Sequence, residues 1–459
     1  MRKTKIIATL GPASWSQQVI SRLVKEGVNG FRINLSHAKT SEMEKAIEYI
    51  RSIEKKRCIY IPIIGDLQGP VVRLGEIEDF EVAKGDKVFL VNREEGSAEA
   101  REIPLPESKV FYEIAEGDIL LIEGGRIRLR ADSISDSSIE CMVLTDGIVR
   151  KRKTFAIQGK DLPLPTITEK DMRDVEWCIE HDIDYIGLSF VRNSGDIEVL
   201  KDILRKKDAE NIKIITKIET KKAVENLKNI IKISDAVLVA RGDLAIYYGL
   251  EEIPELQDRI IKTSRSYGKP VILATQIMES MTENPMPTRS EVLDVMHAVR
   301  EGVDALLLAG ETAIGKYPVE SVSWLRKIII KAEEKKPEEV VFENEQIYDK
   351  FARGVVILSD LLKSKIVAFS RKGSTARRIS RYRPQSDVYV FTPNIKVVRQ
   401  LNILWGLKPY LYKGLDRGIP LDEIVEELKS TGELSYGDLA IATAGLRTGT
   451  TDIIRIIRI

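Results

Sequence analysis

The chain has 459 residues, too many for one compact domain and in the range of two to four. Its 71 Lys and Arg against 70 Asp and Glu leave a net charge of +1, which gives no support to a general nucleic-acid binder or a protein of acidic membrane surfaces. Cys58, Cys141 and Cys178 lie far apart with no CxxC or Cys/His spacing, so a zinc site is not expected and a reducing compartment is. No apolar run approaches the length of a membrane span, and the N-terminus runs straight into a strand-like segment. The expectation is a cytoplasmic protein with neither membrane nor nucleic acid as partner.

Residues 3–10 read as a strand, broken by Gly11-Pro12. Residues 16–26 have helical spacing, 30–35 form a second strand, 39–56 a charged helix and 59–66 a third strand. This is the rhythm of a parallel sheet wrapped by helices. From residue 71 to about 155 short alternating strands take over, at 87–91, 119–122, 126–130 and 139–143. Gly85-Asp86, Gly117-Asp118, Gly124-Gly125 and Asp146-Gly147 punctuate them. The segment reads as a small antiparallel β module inserted into the α/β pattern.

The rhythm resumes with a helix at 169–181, capped by Thr168, and a strand at 183–190. Helix 196–206 and strand 212–219 follow, then helix 222–230 and strand 236–240. Helix 255–267, strand 270–275, helix 291–301 and strand 305–308 complete the series. Eight parallel strands in this length imply a TIM (β/α)8 barrel. An open doubly wound sheet is the alternative, but no GxGxxG fingerprint follows the first strand. Residues 331–345, rich in Glu and Lys, read as a boundary. A second α/β pattern follows, with strands at 365–369, 388–391, 408–412, 438–442 and 453–457 and helices at 375–382, 395–401 and 421–430. The expected organisation is a discontinuous barrel domain (1–69 and 156–334), an inserted small β-barrel lid domain (70–155) and a C-terminal α/β domain (335–459).

In such a barrel the active site lies where the strands end. The stretch 212–219 opens as a buried strand and turns charged at Lys217 and Glu219, which share a face about 6.6 Å apart. A surface ion pair would use the same two residues. Other strands end in Arg32, Asn34 and Ser36, in Asp66, near Ser189, in Arg241-Gly242-Asp243, in Thr275-Gln276 and in Gly310-Glu311-Thr312. Almost every strand therefore delivers a polar group to one rim. Glu219 and Asp243 suit a hard divalent ion, unless one merely pairs with Lys217. Lys217 places positive charge where an oxyanion develops. Arg32 suits a phosphoryl group through its planar fork. The Gly242 N–H is offered to a carboxylate, or Gly242 simply makes a turn. Asn34, Ser36 and Asp66 form a second oxygen cluster for a hard cation, or bond to one another. Thr275 is fit for proton relay, or is a core threonine. Together these groups describe phosphoryl transfer through positioning and charge compensation.

Residues 4–14 (TKIIATLGPAS), 32–37 (RINLSH), 215–219 (ITKIE), 240–244 (ARGDL), 274–281 (ATQIMESM), 287–289 (PTR) and 310–313 (GETA) resemble the pyruvate kinase family. The resemblance covers nearly the whole chain in order. It implies transfer of phosphate from phosphoenolpyruvate to ADP, giving pyruvate and ATP, the last step of glycolysis. It implies Mg2+ or Mn2+ at Glu219 and Asp243, Lys217 as stabiliser of the enolate and the moving phosphoryl group, and Arg32 holding that group. The Gly242 and Asp243 amides would hold the substrate carboxylate, and Thr275 would sit near the carbon that is protonated. Asn34, Ser36, Asp66 and the Leu67 carbonyl match a potassium site. Asn34, His37, Arg73 and Lys153 match nucleotide contacts, with Pro12 alongside. The inserted module would be a lid that excludes water. The assembly implied is a homotetramer.

Some positions depart from the family pattern. Val71 stands where potassium-dependent members usually carry Glu and potassium-independent ones often carry Lys. Leu67 and Gln68 replace a Thr-Lys pair, and Ala156-Ile157-Gln158-Gly159 replaces Asn-Leu-Pro-Gly near Lys153. In the C-terminal domain Ser370, Arg371, Lys372, Gly373, Ser374 and Thr375 precede a helix. The family places phosphorylated effectors here, and the amides with two cations suit a phosphate; a solvated basic loop is the alternative. The return loop 446–450 would complete the pocket. Two other functions are compatible with the rim alone: a Mg2+-dependent lyase acting on phosphoenolpyruvate, and a catalytically silent metabolite sensor.

Overall fold

The computed structural model describes every residue except 1, 37, 136, 415–418, 446, 448 and 449. Eight strands close a parallel barrel: β1 Lys5–Leu10, β2 Gly30–Asn34, β3 Ile63–Asp66, β4 Tyr185–Leu188, β5 Lys213–Ile218, β6 Ala236–Ala240, β7 Val271–Ala274 and β8 Ala305–Leu308. Each pairs with its neighbours in sequence, and β8 returns to β1, which removes the open-sheet alternative. The strands are almost wholly buried because both faces are covered. Ile6, Ile33, Ile63, Ile214 and Val237 pack outward against the helices. Ile7, Ile64, Ile215, Leu238, Ile272 and Leu307 fill the interior. That interior layer is continuous with Ala352, Val355 and Leu404 of the C-terminal unit, so the two share one core at the barrel base.

Local chemistry sets the element ends. Thr168 caps its helix in a capping box with Asp171, and Asn193 and Thr288 do the same with Asp196 and Glu291. β3 begins at Ile63 rather than at 59, because Pro62 lacks the N–H that would extend the ladder. β7 stops at Ala274, where Thr275 turns left-handed. The helix expected at 222–230 is two, Lys221–Glu225 and Leu227–Ile233, broken at Asn226. Helices Pro318–Ala332 and Ile347–Leu362, which the sequence reading passed over, flank the boundary it drew.

Between β3 and β4 the chain forms a separate two-sheet unit with its own core around Leu74, Leu90, Phe111 and Leu129. Its larger sheet runs Phe155–Ile157, Ile119–Ile122, Ile127–Ile134, Ser138–Val143, Lys87–Val91 and Glu102–Pro104. The strand pairs are antiparallel, as expected, except the last, Lys87–Val91 with Glu102–Pro104, which is parallel. Residues 92–101 cross over at the sheet edge instead of folding back as a hairpin. The C-terminal unit is a five-stranded sheet, β9 Lys365–Phe369, β10 Val388–Thr392, β11 Leu407–Leu411, β12 Leu439–Ala444 and β13 Ile453–Arg458, in the order β11-β10-β9-β12-β13. Only β13, at the edge, is antiparallel. Among the described residues no helix is long and apolar enough to cross a membrane.

Candidate active site

At the C-terminal rim, Arg32 of β2 reaches Asp66 at the end of β3. Its Nε and Nη2 donate to one carboxylate oxygen at 2.8 and 2.5 Å, and its Nη1 donates to the Thr9 hydroxyl at 3.1 Å. Lys217 of β5 points into the same space. Its ammonium donates to Ser189 Oγ at 2.9 Å and stands 3.1 Å from Glu219 Oε2 and 4.0 Å from Asp66 Oδ2. Ser189 in turn donates to the Leu67 carbonyl at 2.7 Å. Glu219 is fully buried. Its Oε1 accepts the Phe190 N–H at 2.6 Å, while Oε2 has the Lys217 ion pair but no hydrogen bond of good angle. The strand register places Asn34 opposite Asp66, and β5 beside β6, which leads into Asp243.

Burial alone would neutralise this cluster; opposite charges hold Asp66 and Lys217 ionised. Burial raises the Asp66 carboxyl, but Lys217 and Arg32 outweigh it and hold the group below the usual range. Burial lowers Lys217, but Asp66, Glu219 and Asp243 outweigh it and raise the ammonium well above its ordinary value. Glu219 moves the other way: burial raises it, Asp243 adds to the rise and Lys217 opposes it. Burial, with Asp243 added, thus leaves Glu219 harder to ionise than a free carboxyl despite Lys217.

On the other side of the mouth, Thr275 and Gln276 have φ of +67° and +52°. A β-branched residue there is strained. Arg241 holds the turn: its Nη2 donates to the Thr275 and Gln276 carbonyls at 2.8 and 3.0 Å, and its Nη1 donates to both oxygens of Asp294 at 2.9 and 2.8 Å. The turn aims the Thr275 hydroxyl at Gly242, whose N–H donates to it at 2.9 Å. The Gly242 N–H, expected to be open to a ligand, is therefore already hydrogen-bonded within the chain. Sequence reasoning gave Arg241 and Ser189 no role; both sit at strand ends, but only the fold shows what each side chain holds.

The second oxygen cluster is also engaged. Asn34 Oδ1 accepts the Ser36 N–H at 3.0 Å, Asp66 takes Arg32, and the Leu67 carbonyl takes Ser189. A cleft of about 500 Å3 opens beside Arg32 and Asn34, walled by Pro12, Trp15, Glu42 and Ile314. A second cavity of about 220 Å3 lies between inserted unit and barrel, with Phe155, Phe190, Asp243 and Tyr247 on its walls. Arg73 bridges to Thr154, the residue after Lys153. Arg73 donates to the Arg152 carbonyl at 3.0 Å, and Lys153 to Glu123 at 2.7 Å. Among the described residues neither has a hydrogen bond or ion pair to the barrel mouth. His37 lies outside the described residues.

In the C-terminal unit Gly373, at φ +76°, turns the loop into the helix Ser374–Arg381. Ser370, Arg371, Lys372, Ser374 and Thr375 share a small cleft with Arg447 and Thr450, which brings the two expected loops together; residues 446, 448 and 449 of the return loop lie outside the described set. Thr375 Oγ1 bonds Thr451 Oγ1 at 2.9 Å.

Two family models match the chain: the pyruvate kinase barrel domain over residues 1–322 and the pyruvate kinase alpha/beta domain over 352–457. A pyruvate kinase of Pyrobaculum aerophilum is 37% identical over 458 residues, covering 98% of this chain and 96% of the relative. One of Staphylococcus aureus is 35% identical over 472 residues, covering 100% of this chain and 80% of the relative. The crystal structure of a P. aerophilum pyruvate kinase superposes with a TM-score of 0.90 at 34% identity, over 100% of this chain and 99% of that one. That of a Cryptosporidium parvum pyruvate kinase superposes at 0.91 and 29%, over 100% and 96%.

Proposed function

The chain belongs to the pyruvate kinase family, and from that membership we propose which of its residues carry the transfer of the phosphoryl group from phosphoenolpyruvate to ADP. The observation that carries the reading is the buried Lys217 ammonium, held among Ser189, Glu219 and Asp66 with Arg32 beside it. Arg32 grips the phosphoryl group while it is on either substrate. Lys217, charged at any working pH, faces the enolate oxygen as the bond to phosphorus breaks. Glu219 and Asp243 fit a divalent ion: both are acidic, and Glu219 Oε2 lacks a hydrogen bond. Among the described residues no third acidic, His or Cys group joins them, so substrate oxygens and water fill the remaining positions. The ion, Mg2+ or Mn2+, would offset phosphate and carboxylate charge. The substrate carboxylate takes over the Gly242 N–H from Thr275, with the Asp243 amide beside it. That exchange frees the Thr275 hydroxyl to organise the proton that reaches the enolate carbon.

The donor set fits potassium poorly. Arg32 already neutralises Asp66, and Val71 adds no acid. The nucleotide runs along Asn34 and His37 into the cleft beside Pro12 and Trp15, with Arg73 and Lys153 reaching its phosphates when the lid closes. We read residues 1–69 and 156–334 as the catalytic barrel, 70–155 as the lid and 335–459 as the regulatory unit, with the Ser370–Thr375 loop (370–375) taking a phosphorylated effector. A homotetramer is supported by β13, a sheet edge with Ile454 and Ile456 exposed, and by exposed Leu293 beside the barrel. A cytoplasmic enzyme of glycolysis fits all of this. The test is pyruvate release from phosphoenolpyruvate with Mg2+, with and without ADP. Release that requires ADP supports the reading; release without it indicates a lyase, and none at all a silent sensor.

A further inference from the structure

Residues 189–192, between β4 and the helix Ser194–Lys206, hold groups of the barrel mouth on one side and both connections to the inserted unit on the other. Toward the mouth, Ser189 Oγ accepts from Lys217 at 2.9 Å and the Phe190 N–H donates to Glu219 at 2.6 Å. The Val191 carbonyl accepts the hydroxyl of Thr220, the residue after Glu219, at 2.8 Å. Phe190 has a φ of +53°, a left-handed turn that these bonds hold in place.

The outgoing connection, residues 67–70, lies against the same loop. Its Leu67 carbonyl accepts from Ser189 at 2.7 Å. Its Gly69, at φ +69°, passes so close that a Cβ there would stand 2.7 Å from the Phe190 ring and 3.1 Å from Ser189 Cβ. The returning connection, residues 158–168, is held by Arg192. Its Nη1 donates to the Leu162 carbonyl at 3.2 Å and its Nη2 to the Thr166 hydroxyl at 3.0 Å, with an Asp196 oxygen 3.5 Å away as counter-charge. Asp161 adds a second tie by accepting the Lys222 N–H at 2.8 Å.

The Arg192 backbone is pinned as well: its N–H donates to Asp196 at 2.8 Å, and Asn226 donates to its carbonyl at 3.1 Å. The guanidinium therefore projects from a fixed base. The inserted unit does not pack down on the barrel here, because the cavity of about 220 Å3 separates Leu121 and Phe155 from Ile246 and Tyr247. At this point the two bodies are registered through their connections and not through close packing. Two acceptors four residues apart suit the planar fork of an arginine and not the single point of a lysine.

We propose that Arg192 is a positioning residue for the phosphoryl transfer: its guanidinium registers the inserted unit on the same loop that orients Lys217 and Glu219, so that Arg73 and Lys153 reach the mouth at a fixed place relative to those groups. Arg192 acts through Leu162 and Thr166, not on the reacting atoms. The proposal deepens the catalytic reading above and rests on the inserted unit being the lid. A transfer that relies on positioning is sensitive to such a register, since a displacement of about 1 Å can cost about a hundredfold in rate.

The test compares Arg192→Gln, Arg192→Lys and Thr166→Val in the full chain. For Arg192→Gln the expected result is a rise of about tenfold in KM for ADP and a fall of about tenfold in kcat. KM for phosphoenolpyruvate should stay as in the wild type, and so should the Mn2+ dissociation constant without nucleotide, read by electron paramagnetic resonance. Arg192→Lys should restore neither value, because an ammonium lacks the fork. Thr166→Val removes one of the two acceptors and should show the same pattern at about threefold. Added to Arg192→Gln, it should cost less than the product of the two single losses. Hydrogen exchange gives a readout without turnover: residues 158–168 should exchange faster in Arg192→Gln, and 213–219 should not. Weaker Mn2+ binding, or a lower melting point with unchanged kinetic constants, would make Arg192 a structural residue of the barrel and overturn the proposal. So would single losses that multiply. Lys153→Gln separates this outcome from the lid reading. If it leaves KM for ADP unchanged, the lid reading itself fails; if it raises that KM and Arg192→Gln does not, the positioning role alone fails.

Discussion

The Thr275 carbonyl accepts from two nitrogens of one side chain, Arg241 Nη2 at 2.8 Å and Nε at 3.3 Å. This contact pins a left-handed threonine whose hydroxyl meets Gly242. The same guanidinium binds Asp294 with a third nitrogen, so the strained turn is tied to the helix Arg289–Glu301 behind it. The strain persists because the surroundings over-determine it.

Arg241→Lys keeps the charge but loses the fork. With one ammonium for three acceptors, the Thr275 turn loses its fixed orientation. The expected outcome is a fall in kcat of about tenfold to a hundredfold, from misplacement rather than lost chemistry, with KM for phosphoenolpyruvate changed less. Steady-state kinetics beside a melting curve checks it. A drop in melting point with kcat intact would mean the clamp serves stability alone.

Lys217→Met removes the charge at the enolate. Because that charge acts mostly in the transition state, turnover should fall about a thousandfold while phosphoenolpyruvate binding survives in part. Substrate binding followed by fluorescence or calorimetry, against kcat, decides it. Lost binding with surviving turnover at saturation would assign Lys217 to ground-state affinity.

Glu219→Gln keeps the acceptor for the Phe190 N–H and removes one negative charge from the proposed metal pair. The Mg2+ concentration for half-maximal rate should rise by at least about tenfold. An unchanged requirement would take Glu219 out of the metal shell.

Potassium titration at saturating Mg2+ tests the second oxygen cluster. The Arg32–Asp66 pair is neutral as a whole, so Asp66 has no net charge left for a monovalent ion, and Val71 supplies no acid to draw one in. Most of the activity should remain without potassium. A large activation by potassium, absent with an equal concentration of a bulky organic cation, would show that the cluster opens to hold the ion.

The barrel was legible because its strands, buried on both faces, read as apolar runs that end in charge. The rim residues Arg32, Asp66, Lys217 and Glu219 were legible for the same reason, since their position in the run fixes which end they occupy. What could not be read depends on tertiary contact. No local pattern says that Arg241 bonds carbonyls of the next strand, or that Ser189 links Lys217 to Leu67. The split at Asn226 and the parallel pair in the inserted unit depend on capping and on a crossover, which periodicity does not encode. Arg383 and Asp304 lie far apart in sequence and meet only where the C-terminal unit docks on the barrel.

Asp184 gives a stability test free of catalysis. It sits at the entry to β4, fully buried, and its Oδ2 accepts the Ile63 N–H at 2.9 Å and Arg51 at 3.2 Å, while Oδ1 has no hydrogen-bond partner. Burial pushes its carboxyl up from 3.8 to about 6, against the opposing charges of Arg51 and Arg399. The folded chain therefore holds the proton more tightly than the unfolded chain. Below about 4 both forms are protonated and the group costs nothing; as pH rises towards about 6 the folded state must bear a buried charge, and stability falls by about 3 kcal/mol in all. Above that range its contribution is constant. Carboxylates with lowered values, such as Asp66, slope the other way, so the difference between proteins is what counts. Asp184→Asn should lack this fall, and the stability gap between variant and wild type should shift in the variant's favour by that amount between the two pH limits. Denaturant unfolding at stepped pH measures it. A gap that stays constant across the window would mean Arg51 and Arg399 keep Asp184 ionised in the folded chain.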